Sequence, residues 1–244
     1  MSQFKERPDQ LYRPRRFWTE ASVGPRRDDG WPVLLDARTA RTPAKAELVL
    51  PTEALARLVA DEWNGVGEVV DYALMPATRL AFTAIDRVSE TRAEVADEVG
   101  RYAGSDVLCY FADSPAALVD REEERWGPIL TWAEQDLGLH LERASGIVHR
   151  PQSPETLARA RALAAESDDF GLTGLAWAAG LLGSAVLAFA LQRGRLSGAD
   201  AFDLSRLDEQ YQAEQWGVDA EAAERAEAHK SEALLLDRWF AALR

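Results

Sequence analysis

Apolar residues change their spacing once along this chain. Before residue 51 they come in short runs broken by turn formers, and from residue 76 they recur every three or four positions. The first pattern predicts strands at 17–23, 31–36, 37–42 and 46–50, separated by Gly24, Pro25, Asp28, Asp29, Gly30 and Pro43. Thr52, after Pro51, reads as the N-cap of a helix running to about Trp63, and 64–71 reads as a linker or a last strand. In the second pattern Leu80, Ala84, Val88, Thr91, Val95, Val99 and Tyr102 mark one face of a helix. Leu118, Trp126, Ile129, Ala133 and Leu137 mark another, and helices are predicted at 154–166, 173–193, 198–216 and 219–243. The predicted fold is α+β: a flexible tail at 1–14, a small mainly antiparallel β domain with one helix at 15–75, and an all-α bundle at 76–244.

The stretch 170–191 contains no charged residue and is long enough to span a bilayer. Ala and Gly dominate it, so a buried core helix is the preferred reading and a membrane span the alternative. Ala176, Gly180, Ser184 and Ala188 fall at i, i+4 spacing, a row along which a neighbouring helix can approach closely.

Charge changes the picture of partners. The net charge is −13, yet residues 1–27 hold seven Lys/Arg against three acids, leaving 21 basic and 38 acidic residues for the remainder. An acidic body excludes nucleic acid as a partner and suits either simple solvation or a basic protein surface. Cys109 is the sole cysteine, so intrachain disulfides and Cys-based zinc sites are excluded. In its apolar setting, DVLCYF, it reads as a core thiol. His140, His149 and His229 lie in no nucleophile or metal motif, and no metal or cofactor is expected. Gly171 and Gly174 could open a phosphate loop, but Asp168 and Asp169 precede them and would repel the anion. The acids at 120–124 read as a solvated helix face. Glu122 is the exception, since it shares the Leu118/Trp126 face and is expected to be partly buried or capped by Arg125.

The richest candidate site is LSRLDEQYQAEQWGVD, residues 204–219. On a helix, Asp208, Tyr211 and Gln215 share one row and Glu209, Gln212 and Trp216 the next, an exposed stripe of carboxylates, amides and aromatics. It contains no His, Cys or Lys, which suits protein recognition better than proton transfer. Among the eight tryptophans most are expected in the core, and Trp216, just before Gly217, is the expected partner contact.

This stretch and the preceding LLGSAVLAFALQRGRLSGADAF resemble the C-terminal signature of the F1-ATPase assembly factors that chaperone the alpha subunit of ATP synthase. RFW at 16–18, GWPVLLDARTARTPAKAELVLPT at 30–52, MPATRLAFTAIDRV at 75–88, SDVLCY at 105–110 and ERWGPILTWAEQDLG at 124–138 extend the resemblance over nearly the whole chain, in the family's order. It implies a non-enzymatic chaperone that binds the unassembled F1 alpha subunit, suppresses its aggregation and hydrolyses no ATP. The expected contact set is Asp208, Glu209, Gln212, Glu214 and Trp216. The resemblance places an important carboxylate in this helix, Glu209 or Glu214, with Glu209 preferred. A monomer without stable membrane insertion is expected, in bacterial cytoplasm or, if a presequence is removed, in the mitochondrial matrix. The competing function is an enzyme with an acid/base carboxylate pair in the cleft between the two domains.

Overall fold

A computed structural model describes residues 14–146, 150–217 and 219–244. His149 and residues 1–13 of the expected tail lie outside them. Four short strands, β1 (Ala21–Val23), β2 (Trp31–Leu35), β3 (Arg38–Thr39) and β4 (Val49–Leu50), form an antiparallel sheet in which β2 pairs with all three others. The register sets Ser22 opposite Leu34, Leu34 opposite Thr39, and Trp31 opposite Leu50. Asp36 closes the β2–β3 turn at φ 53°, a conformation that Asp tolerates, and its carboxylate accepts from the N–H groups of Thr19 and Glu20. Pro14 and Arg16 are tied to the segment left open above. Val70 N–H donates to the Pro14 carbonyl and Arg16 N–H to that of Glu68, each at 2.9 Å.

The expected N-cap is in place. The Thr52 hydroxyl accepts from Leu55 N–H at 3.1 Å and starts α1 (Glu53–Asn64), whose Leu55, Val59 and Trp63 are buried. The bulk of the chain is helical: α2 (Pro76–Thr83), α3 (Ser89–Gly104), α4 (Ala116–Trp132), α5 (Pro154–Ala165), α6 (Asp169–Leu182), α7 (Ala185–Gln192), α8 (Gly198–Ser205), α9 (Leu207–Trp216) and α10 (Ala220–Leu243). A π-helical turn joins α2 to α3 and another extends α4. Two-residue strands β5 (Tyr110–Phe111) and β6 (Ala144–Ser145) pair in parallel. The sequence of a small antiparallel sheet followed by helices is the α+β arrangement that the hydrophobic spacing predicts. α1 packs against the sheet and against α10, so one continuous core runs from Trp18 to Phe240. Glu62 on α1 reaches the start of α2 and accepts from Ala77 N–H at 2.8 Å and Thr78 N–H at 2.7 Å.

Two expected helices are broken. The apolar stretch is α6 and α7, divided by Gly183 at φ 62° and Ser184, whose hydroxyl caps α7 through Leu187 N–H at 2.9 Å. Asp106, fully buried, binds the break by accepting from Val186 N–H at 3.0 Å, while Val107 N–H donates to the Gly183 carbonyl. Ala176 and Gly180 therefore belong to one helix and Ser184 and Ala188 to the next, and the continuous small-residue row does not exist. Among the described residues no helix is long and apolar enough to cross a membrane. The predicted helix at 198–216 is likewise split, because Arg206 leaves helical geometry (φ −124°, ψ 24°) and α9 sets off anew against α4.

Candidate functional site

The turn at Arg206 gives α9 two different faces. One is docked on α4. Leu207 is buried, Trp126 of α4 donates its indole N–H to the Leu204 carbonyl at 3.0 Å, and Arg121 lies 5.1 Å from the centre of the Tyr211 ring. Arg121 also pairs with Glu214 at 2.9 Å. On this face Asp208 turns inward to meet Glu122. The predicted stripe is therefore divided: Asp208 and Tyr211 are half-buried against α4, while Glu209, Gln212, Glu214, Gln215 and Trp216 are exposed.

Glu122 has no exposed surface. One of its oxygens accepts from Ala112 N–H at 2.8 Å; the other, like Oδ1 of Asp208, is buried without a donor among the described residues. Two carboxyls in contact resolve this by sharing one proton, so that a protonated carboxyl donates to a carboxylate. Burial first, and then the Asp208 carboxylate, push the Glu122 acid up to about 7. It was expected on this helix face, but Ala112 and Asp208, not Arg125, are what it meets. The pair joins two packed helices and opens onto no cleft.

The other face of α9 looks across to the beginning of α10. Asp219 caps α10 through Glu221 N–H, and no residue from 220 to 232 is buried, so this half of the helix extends from the bundle. Glu209, Gln212, Ala213 and Trp216 on α9 and Ala222, Ala223 and Ala226 on α10 line a groove of about 360 Å³. The alanines make its floor narrow and apolar. Trp216 stands at its end with 79% of its surface exposed, whereas Trp18, Trp63, Trp126 and Trp239 are buried. An acidic, amide-lined groove beside a free indole can take a segment of another protein; it holds no nucleophile.

Elsewhere the candidate chemistry becomes structure. Cys109 is buried, and burial raises its thiol above the usual range, so it is not a ready nucleophile. Asp168 is the N-cap of α6, accepting from Gly171 N–H at 2.7 Å, and Asp169 pairs with Arg92. Among the described residues no three His, Cys, Asp or Glu side chains group so as to hold a metal ion. Asp106 was not anticipated; its only sequence signal is an acid before the VLC turn.

Comparison with known proteins agrees with this anatomy. The family model described as "ATP12 chaperone protein" matches residues 15–134. The Schizosaccharomyces pombe "Protein atp12, mitochondrial" is 26% identical over 216 residues, covering 83% of this chain and 74% of that protein. The crystal structure of Atp12 from Paracoccus denitrificans superposes with TM-score 0.88 at 43% identity, over 94% of this chain and 98% of that one. A crystal structure from Agrobacterium tumefaciens superposes with TM-score 0.87 at 37% identity, over 98% and 92% of the two chains. The chain therefore belongs to the ATP12 chaperone family, the F1-ATPase assembly chaperones that its sequence segments resemble.

Proposed function

We propose that the protein binds the unassembled alpha subunit of F1, keeps it from aggregating, and releases it when alpha meets beta, without hydrolysing ATP. The observation that carries this reading is the free indole of Trp216 at the end of a groove between α9 and an extended α10. A subunit made for an obligate hetero-oligomer has an interface that is more apolar than ordinary surface and adhesive until covered. A groove with an apolar floor, an aromatic anchor and an acidic rim can cover part of it and yet yield to the final partner. Glu209 and Gln212 beside Trp216 are the central contacts in this scheme. Glu214 contributes from the edge, and Asp208 acts by holding α9 in place. Bacterial relatives with closely similar folds support a bacterial cytoplasmic setting, and a monomer leaves the groove free.

Retention of separately produced F1 subunits on the immobilised chain tests the proposal. Alpha alone should be retained, and Glu209→Lys should abolish retention while the far-UV circular dichroism and melting temperature stay unchanged. Equal retention by a folded Glu209→Lys variant removes Glu209 from the site.

A further inference from the structure

The largest feature outside the α9–α10 groove lies on the β domain. Phe17, Trp18, Leu35, Trp63, Val70 and Tyr72 line a cavity of about 540 Å³. Phe17 is held edge-on against Trp18 at 5.2 Å yet remains 71% exposed, and Trp18, Trp63 and Tyr72 continue the aromatic wall in edge-on contacts. A large exposed phenyl fixed at the mouth of an aromatic cavity is costly in water unless something covers it.

Three further observations describe what would cover it. The indole N–H groups of Trp18 and Trp63, both residues only 4% exposed, have no acceptor among the described residues. Buried donors are almost always paired, so this wall lacks oxygen acceptors. The lining is also cationic, in a protein whose net charge is −13. Arg38 and Arg41 are exposed along it, and Arg38 makes no ion pair among the described residues. The lining's one carboxylate, Glu47, is already paired with Arg27 at 2.7 Å. Finally, β3 stands at the end of the strand order, so the cavity runs beside a sheet edge, where an extended backbone finds groups to pair with.

We infer that this cavity is a second protein-binding site, for an extended polypeptide segment that carries an aromatic or aliphatic side chain next to a carboxylate. The side chain covers Phe17 and enters the aromatic wall, backbone carbonyls supply the missing acceptors, and the carboxylate pairs with Arg38 and Arg41. The site has the opposite charge to the α9–α10 groove and does not depend on that reading.

The test is titration of the full chain with acetyl-Gly-Leu-Phe-Asp-Gly-amide and with the same peptide carrying Lys in place of Asp. Indole N–H resonances report binding, with Trp18 and Trp63 assigned by Trp→Phe substitution. The acidic peptide should shift both resonances and the Lys peptide neither. Arg38→Gln with Arg41→Gln, two exposed changes that leave the free spectrum intact, should weaken binding at least tenfold. Equal shifts with both peptides, or none up to millimolar concentration, would overturn the proposal. So would a dimer at that concentration that blocks the peptide, which would assign the cavity to a second copy, or binding seen only after residues 1–13 are removed, which would assign it to the chain's own N-terminus. Because no alpha subunit is present, failure here leaves the α9–α10 reading standing.

Discussion

Replacing Glu122 by Gln removes the shared proton between α4 and α9 while keeping the shape of the contact. Gln retains an oxygen for Ala112 N–H and offers its own N–H to Asp208, so the variant should fold. In the native protein the acid is raised from 4.5 to about 7 by burial and by Asp208, so it binds a proton more tightly folded than unfolded. Stability from this group is therefore complete below about pH 4.5, declines as pH rises from there to about 7, and is gone above it. At about 1.4 kcal/mol per pH unit the whole effect is on the order of 3 kcal/mol. Urea unfolding of both proteins at pH 5 and pH 8 measures it. Asp106, raised to about 6 by burial, and Glu62, also raised by burial, are present in both proteins, and their effects cancel in the difference. The native protein should lose about 2–3 kcal/mol relative to Glu122→Gln between the two pH values. A difference constant with pH would refute the shared proton.

Four substitutions probe other parts of the structure. Trp216→Ala should leave the melting temperature unchanged, because the side chain is exposed, and weaken alpha-subunit binding at least about tenfold by calorimetry. Asp106→Ala leaves Val186 N–H buried without its acceptor at the α6–α7 break and should cost about 1–3 kcal/mol in denaturant unfolding. Gly198→Ala would place a Cβ 2.4 Å from the Ala233 carbonyl oxygen, forcing α8 away from α10 at a cost of about 1–3 kcal/mol, read as a lowered melting temperature. Arg121→Ala removes both the ion pair to Glu214 and the cation over Tyr211; faster amide hydrogen exchange confined to α9 is the expected result.

Much of the architecture is legible in the hydrophobic spacing, because helices such as α1, α5 and α10 bury one face against a core and carry ordinary caps. Thr52 and Ser153 announce their helices as N-caps. The break between α6 and α7 is harder to see, since Gly and Ala fill the whole stretch and the Gly183–Ser184 pair, a left-handed residue followed by a cap, is its only local mark. Nothing local marks Arg206, where no Gly or Pro stands, and the docking of α9 on α4 decides the geometry. The same docking divides the recognition stripe: helical spacing places Asp208 and Glu209 on adjoining rows but cannot say which row meets α4. Glu122 and Asp208, and the aromatic residues from Phe17 to Tyr72, become neighbours only through tertiary contacts between segments far apart in the chain.

Capture of F1 alpha and beta, produced separately and from the same source, by the immobilised full-length chain tests the central claim most directly. The expected result is retention of alpha and not beta, abolished when beta is added to alpha beforehand and abolished by Glu209→Lys. Retention of neither subunit by the folded chain, or retention of alpha that beta does not displace, would contradict it.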